Sequence, residues 1–289
     1  MTRRDLIKRA SLLTLLAHPH TFVNALANPS RNRIRISACD WSIGKNSDLG
    51  AFDVALQIGL EGIQVNVGST ENNLHLREKG LQQRYLEKSK ETGVKISSIA
   101  VAELNKVPYK SDPRTEAWVS DSIDVAKALG VEVILLAFFD KNDLRNDDAG
   151  KKEVISRLRK VAPKAERLGI TLGIESYLSA EELVEIIQKV GSRSIKVYYD
   201  FRNSADAGYD VIKEIKFLGR KTICELHMKE NGFLLGAGTM DWQKIGRTLL
   251  DMGYYGDGWM QIEWSSPQGA DIVQSYKHNL KFLNDIFHA

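Results

Sequence analysis

The sequence predicts a single α/β domain folded as a (β/α)8 TIM barrel, and three observations lead there. Short, β-rich apolar runs alternate with polar stretches of helical period. Eight such units follow Arg31, and together they fill the remaining length of the chain. Strands that alternate with helices imply a parallel sheet, because parallel neighbours need a crossover connection. One residue from each run gives Ile34, Ile63, Ile96, Val131, Ile170, Ile195, Ile223 and Trp259, spaced 25 to 39 residues apart. A βα unit occupies roughly 30 residues, and a barrel of eight typically about 250. An open doubly wound sheet is the alternative, but it would carry a Gly-rich phosphate loop after its first strand. Residues 34–38 run instead into Cys39-Asp40-Trp41-Ser42.

The element boundaries have local causes. Several helical stretches end in glycine just before the next apolar run, at Gly59, Gly93, Gly130, Gly169 and Gly253. Glycine just past a helix end takes the left-handed conformation that turns the chain into the following strand. Ser179 and Glu182 have the spacing of a capping box, with Val184, Ile187 and Val190 as the buried stripe of the helix they open. Asp241 is placed to cap the helix through Ile245, Leu249 and Leu250. Cys39 and Cys224 fall within apolar runs and are expected as buried free thiols.

Composition excludes several functions. The chain is 43% hydrophobic and 27% charged, which suits a globule with a substantial core. Its net charge of +3 is concentrated at the start, where Arg3, Arg4, Lys8 and Arg9 oppose Asp5 alone within residues 1–27. The rest balances acids and bases, so no basic face for nucleic acid is expected. Residues 2–8 resemble a twin-arginine export signal, followed by an apolar stretch at 12–17 and small residues Ala25-Leu26-Ala27. That stretch is far short of the roughly 20 residues that span a bilayer. The sequence therefore divides into an export signal at 1–27 and a barrel at 28–289, with the mature protein expected in the periplasm or otherwise exported. A cytoplasmic protein with an amphipathic N-terminal helix is the alternative. His18 and His20 would leave with the signal.

In a barrel of this kind the chemistry sits at the C-terminal ends of the strands. Strand five, residues 170–174, leads to Glu175, and strand six, 195–199, to Asp200. Strand seven, 223–226, leads to His227, and strand eight, 259–262, to Glu263. Any one of these could be a helix cap or a surface charge. Four metal-capable groups at one level of four adjacent strands point to a metal centre. Three carboxylates and one imidazole form a hard site suited to one divalent ion, Mn2+ first, with Mg2+ or Co2+ as alternatives. Three anions around a dication leave the site near −1, which favours a neutral polyol or ketose as guest.

Gly173-Ile174-Glu175, Tyr199-Asp200-Phe201-Arg202-Asn203, Leu226-His227-Met228-Lys229-Glu230 and Gln261-Ile262-Glu263 resemble the sugar isomerase/epimerase superfamily related to xylose isomerase. Gly236-Ala237-Gly238-Thr239-Met240-Asp241-Trp242 is similar to the run that follows its seventh strand. The resemblance covers about residues 33–286. It implies a divalent metal held by Glu175, Asp200, His227 and Glu263, with Glu175 and Glu263 also acting as proton acceptor and donor. The reaction implied is proton transfer next to a carbonyl through a metal-stabilised enediolate. Such a proton is weakly acidic, so the charge that develops on its removal needs stabilisation.

The chain departs from the family pattern at four places. Asn203 stands where a His is usual, Glu230 where an Asp follows the Lys, Phe233 where some ketose epimerases carry Arg, and Gln64 where strand two often has Glu. Asn203 can bind a sugar hydroxyl but cannot shuttle a proton near neutral pH. Trp41 is a candidate to stack on a sugar face or a plain rim aromatic. His75 either reaches the substrate from its loop or is a solvated histidine. Lys229 either stabilises an oxyanion or pairs with a carboxylate. Trp264, next to a ligand, should point away from it by strand alternation and serve in packing.

Three functions compete with isomerisation or epimerisation of a small carbohydrate. A lyase or hydratase acting on a keto-sugar or 3-keto-glycoside would use the same metal and base. A DNA-repair endonuclease would need a His-rich multi-zinc site, yet beyond residue 27 only His75, His227, His278 and His288 occur. A non-catalytic sugar-binding barrel is the third. Assembly into a homo-oligomer is left open by the sequence.

Overall fold

The computed structural model describes residues 34–254 and 258–287. Eight strands, β1 Arg35–Cys39, β2 Gly62–Asn66, β3 Lys95–Val101, β4 Val133–Phe138, β5 Thr171–Ser176, β6 Ile195–Asp200, β7 Ile223–Lys229 and β8 Trp259–Glu263, close in sequence order into a parallel barrel. β8 pairs with β1 to seal it. Around it lie α1 Ala51–Ile58, α2 Lys79–Thr92, α3 Arg114–Leu129, α4 Asp148–Leu168, α5 Ala180–Val190, the short α6 Phe201–Asp206, α7 Val211–Thr222, α8 Trp242–Asp251 and α9 Ile272–Phe287. The expected export signal at 1–27 lies outside the described residues. No helix among those described is long and apolar enough to cross a membrane.

The punctuating glycines behave as their positions require: Gly59, Gly93, Gly130, Gly169 and Gly253 all have φ between 71° and 91°. Ser179 and Glu182 form a reciprocal capping box at the start of α5, and the Asp241 side chain accepts from Lys244 N–H at the start of α8. The buried stripe of α5 is centred on Leu183, Ile186 and Val190, with Val184 and Ile187 only partly buried at its edge. The expected stripe was therefore rotated on two of its three positions, since Ala180, Leu183, Ile186 and Val190 form the buried side of the helix. Cys39 is a buried free thiol as expected, whereas Cys224, also free, is only partly buried.

Outward-facing strand residues such as Ile36, Ile63, Ile99, Leu136, Ile174, Val197, Leu226 and Ile262 pack under the helices in one continuous core. The inward-facing set divides in two. On one side Ala100, Leu135, Ala137 and Tyr198 form a small apolar cluster. On the other, Ser37, Cys39, Gln64, Ser98, Glu225, His227 and Gln261 are all essentially buried. Barrel interiors are usually filled by branched apolar side chains. Here half of the interior is a polar column beneath the functional end.

Candidate functional site

Glu175, Asp200, His227 and Glu263 converge at the C-terminal ends of β5 to β8, with candidate ligand atoms all within 4.8 Å of one another. They are not all neighbours in sheet register. Asp200 pairs with His227, but Glu263 pairs with Lys229, two residues further along β7. The tilt of barrel strands staggers the register, so residues at different register positions reach one height. Because side chains alternate along a strand, Glu225, His227 and Lys229 all face inward from β7, which extends through Lys229 rather than stopping before His227.

Each carboxylate is tethered by one oxygen. Asp200 caps α6 by accepting the Asn203 N–H at Oδ1 (2.8 Å). Glu263 accepts the Trp41 indole N–H at Oε1 (2.8 Å). Glu175 Oε1 lies 2.8 Å from His227 Nδ1 and 3.5 Å from Asn203 Nδ2. The second oxygens, Asp200 Oδ2 and Glu263 Oε2, are buried and receive no directed hydrogen bond. The Lys229 ammonium stands 3.6 and 3.1 Å from them. Buried polar atoms without partners are rare and call for an explanation. Two bare carboxylate oxygens beside a third carboxylate and an imidazole fit a divalent cation of the hard, oxygen-preferring kind.

The charges respond to this crowding. Burial draws the His227 imidazolium down, but Glu175, Glu263 and Asp200 outweigh it and hold its pKa at about 9. Burial pushes Asp200 up to about 7 against the pull of Lys229, with Glu175 and Glu263 adding to the rise. Glu263 is held below the usual carboxylate range, since Lys229, His227 and the Trp41 hydrogen bond overcome its burial. Lys229 is itself raised, its burial outweighed by the surrounding carboxylates.

Above the cluster opens a cavity of about 290 Å³ lined by Trp41, Asn203, Lys229, Glu175 and Glu263, together with Asn46, Asn66, Asn105, Phe139, Tyr177 and Trp264. Trp41 thus lines the cavity and steers a carboxylate as well. Lys229 is paired with carboxylates while facing the cavity. His75 is not among the lining residues: it sits partly buried in the turn after β2, and burial lowers its pKa.

Trp264 requires a correction. It was expected to pack away from the site, yet it is 48% exposed and forms part of the cavity wall. Its φ of 45° is the reason. A left-handed residue ends the strand and breaks the alternation on which the expectation rested. Asn46, Asn66, Asn105, Phe139 and Tyr177 escaped the sequence reading because they come from strand ends and loops without a repeating pattern.

The glycine-rich run after β7 has a structural purpose. Buried Glu230 accepts from Trp242 Nε1 (2.7 Å) and from the backbone N–H groups of Thr239 and Met240 (3.3 Å each). A Cβ on Gly238 would stand 2.0 Å from Glu230 Oε2, so the loop closes over this carboxylate only with glycine there. Phe233 is 55% exposed on the same loop.

The chain is 26% identical over 128 residues to D-psicose 3-epimerase of Enterocloster bolteae, an alignment covering 41% of this chain and 42% of that relative. The chain therefore matches less than half the length of that relative. Among solved structures it resembles D-psicose 3-epimerase from Clostridium cellulolyticum H10 (TM-score 0.73, 18% identity, 88% of this chain and 99% of that one). It also resembles 3-keto-D-glucoside 4-epimerase from E. coli (TM-score 0.71, 15% identity, 88% and 100%). Residues 52–286 match the xylose isomerase-like TIM barrel family, and the chain belongs to that family.

Proposed function

We propose that the protein is a divalent-metal-dependent sugar epimerase or isomerase that moves a proton at a carbon next to a carbonyl. The observation that carries this reading is the pair of bare, buried oxygens, Asp200 Oδ2 and Glu263 Oε2, beside Glu175 and His227 on the floor of the cavity. Glu175, Asp200, His227 and Glu263 would hold the cation, with Mn2+ favoured by the donor set and Mg2+ or Co2+ as alternatives. Once bound, it would supply electrophilic stabilisation of negative charge on the sugar oxygens.

The chain's own residues do the rest. Glu175 and Glu263 both line the cavity and serve as proton acceptor and donor, work that contributes about 10²–10⁴-fold. Trp41 fixes the Glu263 carboxylate through its indole N–H and presents its ring to the sugar. Lys229 keeps Glu263 ionised, and Asn203, which accepts from Lys229 Nζ at Oδ1 (3.2 Å), offers an amide to a hydroxyl. The family membership and the curated D-psicose 3-epimerase relative support this reading. The test is turnover of free ketoses in D2O by metal-loaded enzyme. Deuterium should enter the recovered sugar, and Glu175→Gln and Glu263→Gln should each lower the rate by at least about 10²-fold. Undiminished turnover by both variants overturns the reading.

The fold shared with a 3-keto-D-glucoside epimerase and the aromatic wall of Phe139, Tyr177 and Trp264 favour a second reading. In it, a lyase or hydratase works on a 3-keto-glycoside with the same carboxylates. Release of aglycone from such a substrate, without deuterated sugar, selects it. Residues 1–27 we read as an export signal and 28–289 as the mature barrel, a reading under which the enzyme works in the periplasm or is otherwise exported. Recovery of an uncleaved chain from the cytoplasm alone would contradict this.

A further inference from the structure

The polar column inside the barrel meets the site at one atom. Gln64, fully buried on β2, makes every hydrogen bond an amide can make. Its Nε2 donates to Ser98 Oγ (3.0 Å) and Tyr198 OH (2.9 Å). Its Oε1 accepts from the Cys39 thiol (3.2 Å) and stands 3.0 Å from His227 Nε2. A carbonyl oxygen accepts and an amide nitrogen donates, so the way this amide faces decides which imidazole nitrogen carries a hydrogen. With the oxygen toward it, Nε2 is the donor. Nδ1, 2.8 Å from Glu175, 3.6 Å from Glu263 and 3.9 Å from Asp200, is then the nitrogen that faces the carboxylates and would meet a cation held among them.

The amide would turn over only if Ser98 and Tyr198 donated to it. Both instead stand beside the Glu225 carboxylate at the lower end of the column, where they favour its charged form. Gln261 Nε2 donates both to Glu225 (2.8 Å) and to Ser98 Oγ (3.3 Å). Ser98 oxygen thus accepts from two amides, which fixes the side of the hydroxyl that Gln64 meets. The hydrogen-bond direction that Gln261 sets between Glu225 and Ser98 passes through Ser98 to Gln64 and from there to His227, as linked networks polarise one another.

We infer that Gln64, oriented by Ser98 and Tyr198 above Glu225, is a positioning residue that holds His227 in the Nε2–H form and so reserves Nδ1 for the metal. This rests on the metal reading above. The outer partner of a ligating histidine fixes its tautomer, and losing such a partner typically costs 10–100-fold in metal affinity.

The experiment measures Mn2+ binding to the purified protein by electron paramagnetic resonance of the free ion, with no reliance on turnover. Gln64→Met, which removes donor and acceptor at similar size, should weaken binding about 10–100-fold. Gln64→Glu, which still accepts from Nε2–H, should be spared this loss and bind clearly more tightly than Gln64→Met. On the unsubstituted protein, 15N spectra of labelled histidine with Zn2+ bound should show His227 Nε2 carrying the hydrogen. Wild-type affinity in a folded Gln64→Met, equal losses in Gln64→Met and Gln64→Glu, or a hydrogen on Nδ1 in the Zn2+ complex would each overturn the inference. Absence of Mn2+ binding by the wild type would instead defeat the metal reading itself.

Discussion

Lys229 holds the only ammonium placed against the bare oxygens, among the described residues, and this makes it the natural place to probe the site. Its side chain is 13% exposed, and it stands 3.1 Å from Glu263 Oε2 and 3.6 Å from Asp200 Oδ2. At an effective dielectric near 20, each contact is worth about 5 kcal/mol of Coulomb attraction before desolvation is subtracted. Removing one partner of a buried pair leaves an uncompensated charge and typically costs about 3–5 kcal/mol. Lys229→Met should therefore destabilise the metal-free protein by that amount. For a domain of 150–250 residues, about 2–4 °C in Tm accompanies each kcal/mol, so a fall on the order of 6–20 °C is expected. A dication supplies the missing positive charge, and saturating Mn2+ should close most of the gap between variant and wild type. Thermal melts in chelator and in excess Mn2+ measure both quantities. If the chelated variant melts with the wild type, or if Mn2+ stabilises the two equally, the carboxylates do not depend on Lys229 as described.

The charges of the site also fix its pH dependence. Metal-ligand protons at His227 (about 9) and Asp200 (about 7) must leave before a cation enters, so Mn2+ affinity should rise from pH 6 to pH 9 with release of about one proton or more per ion. Both pKa values are raised above the ordinary 6.5 of histidine and 3.8 of aspartate. Their contribution to the stability of the metal-free protein is therefore present at low pH and lost as pH climbs through 7 and then 9. A metal-free protein more stable at pH 9.5 than at pH 6, by chemical denaturation, would contradict these assignments. Separately, Gly238→Ala should cost about 1–3 kcal/mol from overpacking. The added methyl meets a carboxylate held by three hydrogen bonds, and an unchanged melting temperature would show that Glu230 yields freely.

The barrel was legible in the chain because its causes are local. Glycines after helices, the Ser179–Glu182 box, the Asp241 cap and eight apolar runs each act within a few residues. Strand order alone then carried Glu175, Asp200, His227 and Glu263 to one end. The tertiary structure decided the rest. The 4.8 Å convergence depends on the stagger between β7 and β8, the reach of Trp41 to Glu263 joins residues 222 apart in sequence, and Trp264 enters the cavity because its backbone turns left-handed. Gln64 makes the same point most clearly. In the sequence it is a departure from a pattern, whereas in the fold its four hydrogen bonds reach Cys39, Ser98, Tyr198 and His227 on four other strands. Periodicity tells which face a side chain takes, but a hydrogen-bond partner across a barrel is set by register and closure, which no short stretch of chain encodes.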